Sequence, residues 1–222
     1  MDKILATFTT KSDGNLSYHV NDMKENVDKN RQKLAQRLGY NPADLVYMNQ
    51  VHGNSVQIVT HNSPKFIDNC DGLITTEKNL PLMVMVADCI PILLYDKTKG
   101  VIAALHAGRN STFKKITQVA IDKMKEKFSS NPLDIEAVLG PSIQKCCYEV
   151  NDELLEIVKN SFGDEFIYNN NIDLQGINRS ILEQNGVKNI KISEICTKCK
   201  GTNYYSYRKN PKTGRFAGII MQ

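Results

Sequence analysis

Leu82-Met83-Val84-Met85-Val86-Ala87-Asp88-Cys89-Ile90-Pro91-Ile92-Leu93-Leu94-Tyr95 is apolar at odd and even positions alike and is broken only by Asp88-Cys89. A strand with one wet face alternates, whereas one that is apolar on both parities is covered on both faces. Residues 82–87 and 90–95 therefore read as two buried strands, with a polar pair where one ends and the next begins. Residues 101–105 continue the pattern. Outward from this centre, residues 3–9, 45–50, 55–60, 72–75, 135–139, 191–195 and 216–221 are further β-rich runs.

Helical spacing appears elsewhere. Met23, Val27, Leu34 and Leu38 form one stripe and predict a helix over 21–38, capped by Asn21 or Asp22 and stopped at Gly39. Phe113, Ile116, Val119, Ala120 and Met124 predict another over 111–128. Residues 152–161 and 173–185 each open on an acidic residue that can cap exposed N–H groups, although Gly176 weakens the second. The chain shows no repeat, linker or low-complexity tract, so one α+β domain over residues 1–222, mixed sheets flanked by helices, is expected.

With 41% hydrophobic and 23% charged residues, the composition is that of an ordinary soluble globular protein. The apolar start before Thr9-Thr10-Lys11 is too short for a signal peptide or a membrane span, so a cytoplasmic protein without membrane contact is expected. In that compartment the six sparse cysteines read as free thiols, some of them metal ligands. The net charge of +4 is uneven, with eight Lys or Arg against Glu194 alone between Lys188 and Gln222. That segment is either a solvated basic face or a positive field for an anionic ligand. No nucleic-acid module is recognisable, so specific nucleic-acid binding is not expected.

Three metal-ligand types sit at the ends of apolar runs. His52 follows residues 45–50, Cys89 separates 82–87 from 90–95, and His106 ends 101–105. Singly, each reads equally as a satisfied core residue. As a set beside the small residues Gly53, Ala107 and Gly108, they suit zinc, with a fourth position left open as in catalytic sites. Cys196-Thr197-Lys198-Cys199 is the rival metal signal, but a structural zinc there needs Cys146, Cys147 or a distant His, so two ordinary reduced thiols are expected. Gly140-Pro141-Ser142-Ile143 either presents Ser142 and backbone N–H groups to an anion or is a plain turn. Gln50 either reaches a ligand near His52 or closes a strand end. Tyr207, Arg208 and Arg215 either stack on a base and grip phosphate or form a solvated rim.

The motifs Asn49-Gln50-Val51-His52-Gly53, Asp71-Gly72-Leu73-Ile74-Thr75, Ala87-Asp88-Cys89-Ile90-Pro91-Ile92-Leu93, His106-Ala107-Gly108, Gly140-Pro141-Ser142-Ile143 and Tyr205-Ser206-Tyr207-Arg208 through Gly214-Arg215 occur in this order along nearly the whole chain. Together they resemble the YfiH/YlmD family, once called multicopper polyphenol oxidases and now described as purine nucleoside phosphorylases. The resemblance implies zinc on His52, Cys89 and His106. It also implies phosphorolysis of adenosine, inosine, guanosine or methylthioadenosine with some adenosine deamination, that is, transferase and hydrolase chemistry. The implied fold is a layered α+β fold shared with bacterial toxin deamidases that use a Cys–His pair. Arg109-Asn110-Ser111 departs from the family's usual Trp-Arg-Gly, and Lys11-Ser12-Asp13-Gly14 from its early Arg-Gly-Gly.

On this reading zinc lowers the pKa of water for deamination, and Asp88 is a candidate proton carrier or a support for the metal ligands. Two alternatives remain: an amidase with Cys89 as nucleophile and His106 as base, and a non-catalytic metal-binding regulatory protein. Four histidines are too few for several coppers.

Overall fold

The computed structural model describes residues 4–222. The chain runs β1 (Leu5–Phe8), α1 (Lys24–Leu38), β2 (Val46–Met48), β3 (Val56–Ile58), β4 (Phe66–Ile67), β5 (Gly72–Thr75) and β6 (Leu82–Val86). It continues through β7 (Ile90–Asp96), β8 (Val101–Ala107), α2 (Arg109–Phe113), α3 (Ile116–Phe128), β9 (Ile135–Leu139) and α4 (Asp152–Ser161). Last come β10 (Ile167–Tyr168), β11 (Asn171–Ile172), α5 (Leu174–Gln184), β12 (Asn189–Ile192) and β13 (Phe216–Met221). Of the expected first strand, Lys3 lies outside the described residues.

Two mixed sheets carry the architecture. One has the order β1-β13-β6-β2-β4, the other β12-β9-β7-β8-β5-β3. Side-chain alternation explains why both parities are apolar. Leu82, Val84 and Val86 of β6 meet Leu93 of β7 and Ile102 and Ala104 of β8 in the layer between the sheets. The opposite parity of β6, Met83 and Met85, packs with Leu34 and Ala35 of α1. Ile90, Ile92 and Leu94 of β7 pack with Ile116, Ala120 and Met124 of α3 and with Ile177 and Ile181 of α5. The result is an α-β-β-α stack, the α+β class expected.

Local chemistry moved some boundaries. Helix α1 starts three residues later than expected; its N-cap is Met23, and the Asp22 carboxylate accepts the Met23 N–H and the Asn26 amide. It stops at Gly39, which takes the left-handed conformation (φ 76°) that favours glycine. The single helix expected over 111–128 is two, because Lys115 adopts φ 56° between α2 and α3.

Gly140, after β9, packs against the Phe8 ring so closely that a Cβ would overlap it. Gly140→Ala is therefore expected to destabilise the protein by about 1–3 kcal/mol through overpacking. A denaturant midpoint unchanged from wild type would refute that packing.

Candidate functional site

The site grows out of strand register. In β7 and β8 the pairing sets Pro91 opposite His106, and in β5 and β8 it sets Gly72 opposite Leu105. Odd-numbered Cys89 and Asp71 share the parity of Leu93 and Leu73, and His106 that of Ala104, so all three lie at one end of the layer between the sheets. The main-chain N–H of His106 donates to the Asp71 carbonyl at 2.7 Å, continuing the β5–β8 ladder. His52 arrives from the turn after β2.

His52, Cys89 and His106 offer ligand atoms within 4.8 Å of one another. The His52 and His106 rings meet edge to face, with centroids 4.8 Å apart, and the Cys89 Sγ lies 4.0 Å from His52 Nε2. Two of the three sit on or beside strained backbone: His52 has φ 58° and Asp88 φ 90°. Gly108 leaves the space they converge on, since a Cβ there would come within 3.0 Å of both Cys89 Sγ and His52 Cδ2.

Asp71 organises the set, although sequence reasoning gave it no role. It is fully buried, and all its oxygens accept. Oδ1 takes His106 Nδ1–H at 2.8 Å and the His52 N–H at 2.9 Å, while Oδ2 takes the N–H groups of Gly53 at 2.7 Å and Val51 at 3.2 Å. Burial works to raise its pKa, but the His106 hydrogen bond and charge and these backbone donors hold it below the usual carboxylate range. A carboxylate can only accept, so His106 carries its proton on Nδ1 and keeps the Nε2 lone pair for a ligand. Burial likewise works to raise the Cys89 thiol, yet the neighbouring His106 and His52 imidazoles draw it down to about 6. A thiolate and imidazole nitrogens in this arrangement fit a borderline-soft divalent ion such as zinc.

His52, Cys89 and His106 open onto a cavity of about 670 Å³, within the usual size of a small-molecule site. Met48, Met85 and Ile143 supply apolar surface, Tyr148 and Tyr207 aromatic faces, and Arg109, Arg208 and Arg215 positive charge. Of these, Tyr148 carried no role in the sequence reading, since nothing in a tyrosine after two cysteines signals a cavity; the Arg109-Asn110-Ser111 departure from the family pattern is expected to line the pocket, and Arg109 and Asn110 do.

The other candidates divide. Gln50 lines the cavity, but its side chain closes a strand end: it donates to the Met85 carbonyl at 2.7 Å and accepts the Met85 N–H at 2.9 Å. Asp88 also lines it, but its oxygens accept the Thr197 hydroxyl at 2.6 Å and the Arg208 main-chain N–H at 2.7 Å, so it ties the C-terminal loop to the site. Ser142 is a correction. It is fully buried away from the cavity lining, its hydroxyl held by Gln175 at 2.9 Å, so the Gly140-Pro141 turn does not present it to an anion. Arg208 reaches the cavity with its guanidinium donating twice to the Glu149 carbonyl and stacked 4.8 Å from the Tyr148 ring. Arg215 donates to the Thr213 and Gly214 carbonyls, and burial lowers its pKa. Cys196 and Cys199, expected to be two ordinary reduced thiols, lie with Cys146 and Cys147, all four sulfurs within 4.8 Å of one another.

A layered α+β scaffold with an open His–Cys–His centre under a basic, aromatic cavity defines a class of metal-capable enzyme-like sites. The family described as multi-copper polyphenol oxidoreductase laccase matches residues 8–222, and the chain belongs to it. The chain is 33% identical to purine nucleoside phosphorylase YlmD of Bacillus subtilis, covering 98% of this chain and 88% of that one. It is 34% identical to a purine nucleoside phosphorylase of Clostridium acetobutylicum, covering 100% and 93%. Among solved structures, YfiH of Bacillus licheniformis superposes with a TM-score of 0.93 at 30% identity, covering 98% and 92%. YlmD of Geobacillus stearothermophilus gives 0.93 at 29%, covering 99% and 92%. These names support an enzyme. Among the described residues no helix is long and apolar enough to cross a membrane.

Proposed function

We propose that the chain is a zinc-dependent cytoplasmic purine nucleoside phosphorylase, acting on adenosine, inosine, guanosine and methylthioadenosine, with adenosine deamination as a side activity. One observation carries the phosphate half of this reading. Arg109, Arg208 and Arg215 all line the cavity, and among the described residues their side-chain hydrogen bonds go to carbonyl oxygens and the Asn110 amide oxygen, never to a carboxylate. Guanidinium groups that face a cavity without a carboxylate partner favour binding an anion there.

Each remaining feature has a place in the same reading. Tyr148 and Tyr207 offer faces on which a purine stacks, and Met48, Met85 and Ile143 exclude water from it. His52, Cys89 and His106 would hold zinc, with Asp71 fixing the His106 ring. Zinc bound there would supply Lewis-acid chemistry. Asp88 acts as a positioning residue, holding Arg208 and Thr197 against the site. In phosphorolysis a phosphate oxygen bonds to the ribose C1′ as the glycosidic bond breaks, and the purine leaves with the bonding pair and a proton. The arginines hold the phosphate for that displacement, which is the positioning contribution to catalysis.

Arg208→Lys is the test of the phosphate grip. Lys keeps the charge but loses the planar fork that binds bidentately and holds the Glu149 carbonyl. The expected result is a strongly raised phosphate requirement, with zinc content intact and deamination, which needs no phosphate, falling much less. Equal losses in both reactions would make Arg208 a general support of the cavity wall.

A second reading rests on the thiolate itself. The Cys89 and Asp71 charges and hydrogen bonds outweigh burial and push His106 up to about 9, the arrangement of a nucleophilic Cys–His pair. An active, metal-free preparation cleaving amides would favour it. A Cys and two His also suit copper, and elemental analysis of the purified chain separates that ion from zinc.

A further inference from the structure

Outside the His–Cys–His centre, two loops bring together residues about fifty positions apart. Cys146 and Cys147 lie in the turn after Gly140-Pro141, closed by the Cys147 N–H on the Gln144 carbonyl at 2.8 Å. Cys196 and Cys199 lie in a second turn, closed by the N–H groups of Lys200 and Gly201 on the Cys196 carbonyl at 3.0 and 2.7 Å. The loops are joined by a parallel bridge between Ser142 and Cys196, with the Thr197 N–H donating to the Ser142 carbonyl at 3.0 Å. All four cysteines are free thiols.

We propose that Cys146, Cys147, Cys196 and Cys199 form a second metal site, an all-thiolate tetrahedral zinc site that clamps these two loops. The spacing supports it. Four sulfurs at about 2.3 Å from a central zinc stand about 3.8 Å from one another. Here all four lie within 4.8 Å of one another, and the Cys146 and Cys199 sulfurs are 3.6 Å apart. A slight contraction around an ion completes the tetrahedron. The second turn also suits a ligand sulfur: backbone N–H groups of Cys199, Gln144 and Lys198 reach the Cys196 sulfur. Lys198 and Lys200 adjoin the cysteines in sequence and bring positive charge near four thiolates around one divalent ion. Four protein sulfurs leave no open position, so the site is structural and not catalytic.

The clamp has a consequence for the first site. Tyr148 follows Cys147 and lines the cavity, and Thr197 follows Cys196 and holds Asp88 at 2.6 Å. Zinc here would therefore fix one wall of the cavity without touching His52, Cys89 or His106.

The test uses the full chain with the first site disabled. In Cys89→Ala, zinc analysis is expected to find one ion still bound, and X-ray absorption at the zinc edge an all-sulfur shell at about 2.3 Å. Adding Cys146→Ser and Cys199→Ser to that variant should remove the ion. Because the combined variant can fail to fold, the Cys89→Ala protein alone is decisive. No retained zinc, a shell containing nitrogen, or a mass deficit showing disulfides among these four cysteines would each overturn the proposal.

Discussion

Cys89→Ala is expected to empty the His52–Cys89–His106 site and to reduce nucleoside cleavage to background. Two imidazoles alone hold zinc far less well than two imidazoles and a thiolate, and catalytic zinc sites keep three protein ligands. Cys89 also supplies the only anionic ligand, already drawn toward the thiolate at neutral pH by His106 and His52. The alanine leaves two imidazoles without the charge they surround. Elemental analysis should find one zinc fewer per chain than in wild type, and turnover on adenosine with phosphate should be absent. Wild-type turnover in a variant that had lost this zinc would remove the metal from the account, and the nucleophilic Cys89 reading would fail with it.

Asp71→Asn is expected to weaken zinc binding by roughly 10–100-fold, the usual cost of losing a carboxylate behind a histidine ligand. The geometry explains why so small a change matters. Both carboxylate oxygens accept, Oδ1 from His106 and His52 and Oδ2 from Gly53 and Val51. An amide has one accepting end, so either orientation points N–H groups at N–H groups in a fully buried place. Each buried donor left without an acceptor costs about 1–3 kcal/mol, so stability should fall as well. If the amide nitrogen faces His106, the ring is driven to the tautomer that protonates Nε2 and loses its lone pair for the metal. Competition against a chromogenic chelator measures the affinity, and a denaturation midpoint the stability. Unchanged affinity would mean that the His106 ring is positioned by packing alone.

What could be read from the chain depended on the range of the signal. The buried strands β6, β7 and β8 were legible because their apolar residues fall on both parities, and both faces are covered as that pattern requires. His52, Cys89 and His106 were legible as chemically distinctive residues at strand ends, and the structure brings them together. Asp71 was not, because an Asp before Gly72 reads as an ordinary turn until the β5–β8 register sets it beside His106. Ser142 misled for the converse reason. A hydroxyl after Gly-Pro at a strand end looks presented, but the bridge to Cys196 and the Gln175 amide cover it. The four-cysteine cluster joins two loops that no local pattern links. The break at Lys115 was hidden because the apolar stripe of residues 111–128 runs through a residue that rarely adopts positive φ.

Product analysis decides what chemistry the cavity carries out. Zinc-loaded protein is incubated with adenosine, with and without inorganic phosphate, and purine and sugar products are separated and identified. The expected result is free purine base, mainly adenine, and a ribose phosphate in equal amounts, formed only when phosphate is present, with a smaller phosphate-independent yield of inosine. Inosine as the sole product at every phosphate concentration, or no product from any purine nucleoside, would contradict phosphorolysis at this site.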